Sequence, residues 1–229
     1  MNTMRQGPAT PRRRGGFRWW VLILFALYAG YYWFSNQQDA AFTGRTQLIS
    51  SNPQEEAAMG LQAYRQILSQ STVVTQGQLP QQIRDIADRL VAVGPRVEAD
   101  LAAARGVKPS IQWDAFDWDV SVIQSDQANA FCLPGGKIVV YTGIIPVAQA
   151  AIMGHEIAHA LLRHSAERMA QQKLAQIGSM AAGVAVSDME PQQQRAVMAV
   201  MGAGAQYGVL LPFSREHESE ADEVGLMLA

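Results

Sequence analysis

Apolar residues are concentrated in one unbroken segment near the N-terminus. No charged residue occurs from Trp19 to Gln38, and the apolar part of this segment, Trp19 to Phe34, would span roughly 24 Å as a helix. This length is slightly shorter than a bilayer core, which is about 30 Å thick. Aromatic residues lie at both ends, as at the two interfaces of a membrane-spanning helix: Trp19, Trp20, Tyr31, Tyr32 and Trp33. The pattern predicts a transmembrane helix over residues 19–38.

Arginines before this segment predict its orientation. Residues 1–18, which we expect to be disordered, contain five arginines and no acidic residue. By the positive-inside rule, this places the N-terminus in the cytoplasm and the rest of the chain outside it. A cleaved signal peptide and a buried helix of a soluble protein are the alternatives. No small-x-small cleavage motif follows the apolar run, which favours an uncleaved anchor.

Helical periodicity resumes after a polar segment, residues 39–52, which is predicted to be a linker. Asn52 and Pro53 are typical of a helix start, and apolar residues recur at helical spacing from Met59 to Leu68. A second helix is predicted from about Pro80 to Ala104. Because Gly94-Pro95 interrupts it, we expect a kink or two separate pieces.

Short β-segments follow these helices. Apolar residues approach alternation from Ile111 to Ile123, which predicts a strand. Leu133-Pro134-Gly135-Gly136 predicts a turn, and Lys137 to Thr142 predicts a further strand. Together these segments predict a small sheet ahead of the next helix.

The C-terminal half reads as helical. One helix is predicted from about Ala148 to Gln176, and two apolar helices are predicted over Leu174–Val186 and Ala196–Leu211. We expect the last two to form a buried or surface hairpin. Since residues 196–213 carry no charge, insertion of this hairpin into a membrane is the alternative. The predicted fold class is therefore α+β, mostly helical.

Charge and cysteine content narrow the choice of function. The 229 residues carry a net charge of -2, but the chain beyond residue 18 holds 13 basic and 20 acidic side chains. An acidic body argues against nucleic acid as a partner, because phosphate binding needs a basic surface. Cys132 is the only cysteine, so no internal disulfide forms. We expect it to be a small packing residue.

The strongest chemical motif is His155-Glu156-Ile157-Ala158-His159. On a helix His155 and His159 share one face, so both imidazoles can bind one ion. Glu156 lies about 100° round the helix from His155 and can reach a water on that ion. Two imidazoles, one further carboxylate and an open water position describe a catalytic zinc site. We therefore predict one Zn²⁺ per chain and Glu156 as general base; two core histidines without metal are the alternative.

An acidic segment near the C-terminus is the expected source of the third ligand. His164 lies half a turn away from the histidine pair on a straight helix and cannot reach the same ion. Glu218 and Asp222 share a helix face. Glu218 is predicted to bind zinc, and Asp222 to accept the second N–H of a zinc-binding imidazole. Glu220 points away and is predicted to be solvated, and His217 in place of Glu218 is the alternative ligand.

These motifs together resemble the zinc metallopeptidases of the HtpX, BepA and LoiP type, which include the mitochondrial Oma peptidase and the CAAX prenyl endoprotease. The resemblance covers roughly residues 45–228 and is strongest to the bacterial envelope members with one N-terminal anchor or signal. It is carried by Asn129-Ala130-Phe131 with Pro134-Gly135-Gly136, by Tyr141-Thr142-Gly143, by residues 154–159 with Arg163-His164, and by Ser214-Arg215 through residues 218–222.

The resemblance implies a gluzincin-like domain over residues 53–229, with a small sheet packed against helices. It implies the same site residues: zinc ligands His155, His159 and Glu218, general base Glu156 and supporting Asp222. Asn129, Ala130 and Phe131 resemble the family's edge strand, on which an extended substrate lies by strand addition. Family members continue with further helices, some of which supply a residue that helps at the oxyanion and has no counterpart in this sequence.

The expected function is a zinc-dependent endopeptidase that cleaves unfolded or misassembled polypeptides at the cell envelope. Its expected location is the bacterial inner membrane, with the catalytic domain in the periplasm, or the periplasm itself after signal cleavage. The alternatives are a zinc-binding but inactive binding or chaperone-like module, and a structural membrane-anchored helical protein. The oligomeric state is not predicted by the sequence.

Overall fold

A computed structural model describes residues 17–145, 149–205 and 211–229. The described residues form helices α1 (Trp19–Ser35), α2 (Pro53–Ser69), α3 (Gln78–Arg105), α4 (Gln149–Leu161), α5 (His164–Ala185), α6 (Pro191–Ala205) and α7 (Leu211–Leu228), and strands β1 (Gln37–Asp39), β2 (Thr46–Leu48), β3 (Asp119–Ile123), β4 (Ala130–Leu133) and β5 (Lys137–Tyr141). Helix predominates beside two small sheets, so the predicted α+β class is confirmed. The disorder predicted for the N-terminus falls, up to residue 16, outside the described residues.

Helix α1 lies antiparallel along α5. The guanidinium of Arg18 donates two hydrogen bonds to Asp188, the Phe25 ring packs over Gly178, and Tyr32 packs near Ala170. The opposite face of α1 exposes large apolar side chains: Trp19, Trp20, Ile23, Leu24, Leu27, Tyr31 and Phe34. Within the described ranges, no helix is both long and apolar enough to cross a membrane. The helix is present where the sequence predicts it, and its membrane crossing stays a prediction.

A β-hairpin follows α1, where the sequence suggested a polar linker over residues 39–52. Strands β1 and β2 pair antiparallel, with Gln38 opposite Gln47. The hairpin loop turns through left-handed conformations at Phe42 and Gly44, and it buries the Phe42 side chain in the main core. The apolar residues of this segment are few and irregularly spaced, which is why their burial does not show in the hydrophobic pattern.

Helices α2 and α3 begin and end where the sequence places them. Asn52 accepts a hydrogen bond from the amide of Glu55, whose carboxylate accepts one from the Asn52 amide, and this capping box starts α2. Helix α3 ends at Gly106 in a left-handed conformation. Of the kink or two separate pieces expected at Gly94-Pro95, the two pieces are wrong, because α3 runs continuously through both residues. The glycine instead lets the Trp113 ring approach: a Cβ at Gly94 would lie 2.2 Å from that ring.

The main sheet has the order β3-β5-β4, with β3 parallel and β4 antiparallel to β5. The strand predicted from Ile111 is shorter than expected, since residues 113–115 form a 3₁₀ turn. The indole of Trp113 donates a hydrogen bond to the buried Glu98, so this aromatic residue serves the α3 packing and not a strand. The Val74 amide donates to the Val122 carbonyl on the far side of β3, which leaves β4 as the edge strand.

Helices α4 and α7 cross at a point where glycine is required on both. A Cβ at Gly154 would lie 2.6 Å from the Gly225 carbonyl oxygen, and a Cβ at Gly225 would lie 2.6 Å from the His155 nitrogen. Backbone atoms cannot move aside as a flexible side chain does. The close crossing fixes α7, which carries the acidic segment, against α4, which carries both histidines.

We therefore expect Gly225→Ala to destabilise the protein by roughly 1–3 kcal/mol, as overpacking at a tight contact does. Denaturant unfolding of the two proteins measures the difference. Gly183→Ala in α5 is the matched control, because nothing lies within 4 Å of a Cβ at that position. The control should be neutral or gain up to about 1 kcal/mol from helix propensity. Equal stability of Gly225→Ala and the parent would contradict the tight crossing.

Candidate metal centre

Helix α4 presents its two faces to different surroundings. Its inner face is anchored in the main core by Met153, Ile157, Ala158 and Leu161, all of which are buried. Its other face turns towards α7 and the edge strand, and carries both histidines of the motif. Burial of the apolar stripe therefore orients the two imidazoles into one cleft.

The structure brings three of the predicted residues to one point. His155, His159 and Glu218 each offer one ligand atom, and these atoms all lie within 4.8 Å of one another. The two Nε2 atoms are 3.0 Å apart, and carboxylate oxygens of Glu218 lie 3.4 Å from His155 Nε2 and 3.7 Å from His159 Nε2. Glu218 lies 59 positions after His159 in the sequence, and the α4–α7 crossing brings the two side chains together.

This spacing fits a zinc ion. Ligand atoms about 2.0–2.1 Å from a tetrahedral zinc lie about 3.3 Å from each other, close to the three observed separations. Burial lowers the pKa of His159 to about 3, so its imidazole is neutral at pH 7, as a metal ligand must be. A borderline-soft donor set of two nitrogens and one carboxylate suits zinc better than calcium or magnesium, which prefer oxygen.

Asp222 lies behind the first histidine. Its carboxylate oxygen accepts a hydrogen bond from His155 Nδ1 at 2.8 Å, which leaves Nε2 of that ring turned towards the other ligand atoms. This is the geometry predicted for Asp222. Its side chain is 77% exposed, so water competes for the same carboxylate.

Glu156 lies beside the three converging groups and next to the edge strand. Burial raises the pKa of Glu156 to about 7; the negative charge of Glu218 acts in the same direction, while His155 and a hydrogen bond from the Cys132 amide act against it. A carboxyl group with a pKa near neutrality can both accept and return a proton at pH 7. The Cys132 thiol is buried, and burial raises its pKa, in agreement with a packing role.

The single helix predicted from Ala148 to Gln176 is wrong. Helix α4 ends at Leu161, and Arg163 adopts a left-handed conformation with φ of 57° before α5 begins at His164. The Arg163 guanidinium is held by the Glu56 carboxylate and by the Ser51 carbonyl. These distant contacts compensate for a conformation that costs about 1–2 kcal/mol without glycine.

The break changes the place of His164. A straight helix would turn His164 away from the histidine pair, but after the break its Nδ1 lies 2.8 Å from Nδ1 of His159. The ring of His164 is 2% exposed, and burial lowers its pKa. His164 thus contacts a predicted zinc ligand from behind, although it does not join the ligand cluster itself.

The prediction that Glu220 is solvated is also wrong. Its carboxylate accepts hydrogen bonds from Thr43 at 2.7 Å and Arg45 at 3.0 Å, and lies 3.2 Å from His164 Nε2. Burial alone would raise the pKa of Glu220, but these hydrogen bonds, that from His164 foremost, hold it at about 2. Glu220 points away from the metal cluster as expected, but it meets the β1–β2 hairpin there and not solvent.

Glu167 forms a second buried carboxylate next to Arg45. It accepts two hydrogen bonds from the Arg45 guanidinium, at 3.0 and 2.7 Å, and one from His217 Nε2 at 2.8 Å. His217, the alternative third ligand, is buried in this pairing and stacks on His164 with ring centroids 4.3 Å apart. Its geometry therefore favours Glu218 as the ligand.

Sequence reasoning did not find Arg45, Thr43 or Glu167. The one sequence signal for part of this network is a polar stripe on α5: His164, Glu167 and Gln171 recur at helical spacing beside the apolar Ala170 and are all buried. Polar residues at core-facing positions need partners, which predicts a buried network without naming its members.

The Glu167 carboxylate should make stability depend on acid pH. Burial opposes its charge, but the hydrogen bonds from His217 and Arg45 hold the pKa of Glu167 at about 2, below its ordinary value of 4.5. Its stabilising effect is therefore complete above pH 4.5 and is lost as pH falls towards 2. The shift corresponds to roughly 3 kcal/mol in the free energy of unfolding.

We expect Glu167→Gln to be less stable than the parent at pH 7, and the gap to shrink as pH falls from 4.5 to 2. Urea unfolding over this pH range measures the gap. Gly225→Ala, which is destabilised without loss of a carboxyl group, should show a gap that does not depend on pH. A constant gap for Glu167→Gln would contradict the assignment.

The edge strand lies along the same cleft. Ala130 and Phe131 belong to β4 as predicted, and Asn129 directly precedes it, with its carbonyl accepting from the Tyr141 amide of β5. Backbone groups alternate in direction along a strand, so those of Ala130 and Cys132 face away from β5. A cavity of about 400 Å³ adjoins the end of this strand, lined in part by His159, Glu56, Arg163, Phe116 and Gly135.

Two imidazoles and a carboxylate around one point, with a half-buried glutamate beside them, define the site of a metallopeptidase. The family model described as Peptidase family M48 matches residues 96–229, more than half of the chain. The chain belongs to this family. The resemblance that the motifs indicate is thereby confirmed.

Curated relatives of this chain are named as metalloendopeptidases or proteases. The chain is 28% identical over 218 residues to the mitochondrial metalloendopeptidase OMA1 of Schizosaccharomyces pombe, covering 91% of this chain and 57% of the relative. It is 35% identical over 120 residues to the Arabidopsis thaliana protein of that name, covering 50% of this chain and 23% of the relative. It is 26% identical over 183 residues to the beta-barrel assembly-enhancing protease of Escherichia coli, covering 76% of this chain and 34% of the relative. The chain thus spans about half or less of the length of these relatives.

Proposed function

We propose that this chain is a zinc-dependent endopeptidase that cleaves extended polypeptides, with His155, His159 and Glu218 as the zinc ligands. The convergence of these three groups beside the half-buried Glu156 is the observation that carries the proposal. Three protein ligands would leave a fourth zinc position for water, as in catalytic zinc sites.

Glu156 does the proton chemistry. His155, His159 and Glu218 would hold the zinc, which would lower the pKa of a bound water to about 7 and polarise the peptide carbonyl. The Glu156 carboxylate accepts the proton of the attacking water and returns it to the departing amine nitrogen. The Cys132 amide donates a hydrogen bond to this carboxylate and holds it in place. Asp222 orients the His155 ring.

The edge strand supplies the substrate class. An extended peptide can pair by strand addition with the outward backbone groups of Ala130 and with the outward carbonyl of Cys132, whose amide is bonded to Glu156. This pairing recognises backbone more than side chain. Unfolded or misassembled polypeptides expose such segments and folded domains do not. The cavity next to His159 and Gly135 is large enough to accept a substrate side chain.

We place this activity at the cell envelope, at the bacterial inner membrane with the domain in the periplasm. Three observations support the proposal: the uncharged segment at residues 19–38, the five arginines before it, and the exposed aromatic face of α1. A relative named as a beta-barrel assembly-enhancing protease is consistent with an envelope substrate.

Metal content and proteolysis of the purified full chain test the activity. After dialysis we expect one zinc per chain and cleavage of casein, with cleavage lost on addition of 1,10-phenanthroline and restored by zinc. One zinc per chain without cleavage would favour the alternative, an inactive zinc-binding module. Absence of zinc would overturn the metal site, and extraction of the chain from membranes by alkaline carbonate would overturn the anchor.

A further inference from the structure

We propose that His164 is a positioning residue for the metal centre. It accepts a hydrogen bond from the Nδ1–H group of His159 and thereby keeps Nε2 of His159 free to bind the ion. The inference rests on the proposed zinc site and concerns a residue that the cleavage mechanism does not use. It follows from one chain of hydrogen bonds that runs from Arg45 through Glu220 and His164 to His159.

This series of hydrogen bonds starts at the Arg45 guanidinium, which can only donate. A guanidinium is always a donor, and Nε of Arg45 donates to the Glu220 carboxylate at 3.0 Å. The Thr43 hydroxyl donates to the other oxygen of the same carboxylate. Glu220 is therefore ionised and can only accept hydrogen bonds.

The protonation of His164 follows from this partner. Its Nε2 lies 3.2 Å from the Glu220 carboxylate, so Nε2 carries the ring proton and donates a hydrogen bond to that carboxylate. In a neutral imidazole the other nitrogen is then an acceptor. His164 Nδ1 is that acceptor, and the atom 2.8 Å away from it is His159 Nδ1.

The protonation of His159 follows in turn. Because His164 Nδ1 accepts, His159 Nδ1 must donate, and its Nε2 retains a lone pair. His159 Nε2 lies 3.0 Å from Nε2 of His155, the ring whose Nδ1 is bonded to Asp222. A lone pair on His159 Nε2, at the point where the other two ligand atoms converge, can bind a cation, so the buried network prepares this ring for metal.

The two zinc-binding histidines are supported in different ways. The partner of His155 is the Asp222 side chain, which is 77% exposed. Water therefore competes with His155 for the Asp222 carboxylate. His159 rests on His164 and Glu220, whose side chains are 2% and 12% exposed. A hydrogen bond screened from water is the stronger constraint, so His159 is the better fixed of the two rings.

The support of His159 begins outside the segment that the family model matches. Thr43 and Arg45 belong to the β1–β2 hairpin, whereas the match begins at residue 96. The hairpin connects α1 to the metal centre through the Glu220 carboxylate. Thr43 and Arg45 therefore influence the metal centre, and the hairpin does more than connect α1 to α2.

Two substitutions at His164 separate positioning from packing. Asn places its side-chain oxygen near the position of Nδ1, where it can accept from His159, whereas Gln places its amide near the position of Nε2. Apparent zinc affinity is measured by competition with a chelator on the full chain. We expect His164→Asn to stay within about threefold of the parent and His164→Gln to lose roughly 10–100-fold, the usual effect of losing an outer-shell partner.

Glu98→Gln is the matched control. The Glu98 carboxylate is buried and accepts hydrogen bonds from the Ser110 and Ile111 amides and the Trp113 indole, so the variant should lose stability. These bonds lie apart from the series that runs from Arg45 to His159, so its zinc affinity should stay within about threefold of the parent. The visible spectrum of the cobalt-substituted proteins gives a second reading, since only His164→Gln should alter the ligand field. Thermal unfolding of the metal-free forms confirms that each variant is folded.

The outcomes distinguish this inference from the proposed function. If the parent binds no zinc, the metal site itself fails. If the parent binds zinc and His164→Asn and His164→Gln bind it equally well, with the same cobalt spectrum, the positioning role of His164 is overturned. A parallel loss of affinity in Glu98→Gln would reduce the effect to general destabilisation and would overturn the positioning role as well.

Discussion

Glu156→Gln should lower casein cleavage by roughly 10²–10⁴-fold while the protein still binds one zinc per chain. Glutamine has nearly the same size and can still accept the Cys132 amide hydrogen bond, so the fold and the three ligands are retained. It cannot accept a proton from water at pH 7. The loss therefore falls on turnover and not on metal binding.

Initial rates of casein cleavage and zinc content, measured on the same preparations, check this result. Glu216→Gln is the matched control: it is an exposed glutamate on α7, and its activity should equal that of the parent. Equal activity of Glu156→Gln and the parent would remove Glu156 from the mechanism. Loss of zinc in Glu156→Gln would show that this carboxylate acts as a ligand.

Glu218→Ala should have the largest effect on metal content. It removes one of three converging groups, so zinc affinity should fall by more than the roughly 10–100-fold that loss of an outer-shell partner causes. The increase in thermal stability on adding zinc to the metal-free protein should disappear too, because a ligand stabilises only the state that binds it. Cleavage should be lost together with the metal.

Zinc per chain after dialysis and the melting temperature with and without zinc measure the two effects. Glu216→Ala, two residues earlier on the same helix and exposed, should keep both properties of the parent. Unchanged zinc stoichiometry in Glu218→Ala would exclude it as the third ligand. The zinc affinity of Asp222→Ala should lie between those of Glu218→Ala and Glu216→Ala. The His155 ring, which Asp222 contacts, keeps its place on α4 in this variant.

Much of the fold was predictable because it depends on local rules. The capping box at Asn52 and the left-handed glycine at residue 106 define helix ends through backbone geometry alone. The turn at residues 133–136 separates β4 from β5 through two glycines with positive φ. These features need no information from the rest of the chain.

The wrong predictions share a physical cause. Residues 39–52 looked like a linker because the Phe42 side chain is buried by distant elements and not by a periodic stripe of its own. Helix α4 looked longer than it is because its end at Leu161 depends on Arg163, a residue whose left-handed conformation is maintained by Glu56 from another helix. Contacts between residues about 100 positions apart leave no trace in local periodicity.

The sequence by itself determined the chemistry: helical spacing alone puts His155 and His159 on one face, and puts Glu218 and Asp222 together on another helix. Only the tertiary structure decided what supports that chemistry. The close α4–α7 crossing brings Glu218 to the histidines, and the chain reversal at Arg163 brings His164 behind His159. Helical periodicity is a property of a few neighbouring residues, whereas the support depends on how separate elements pack around them.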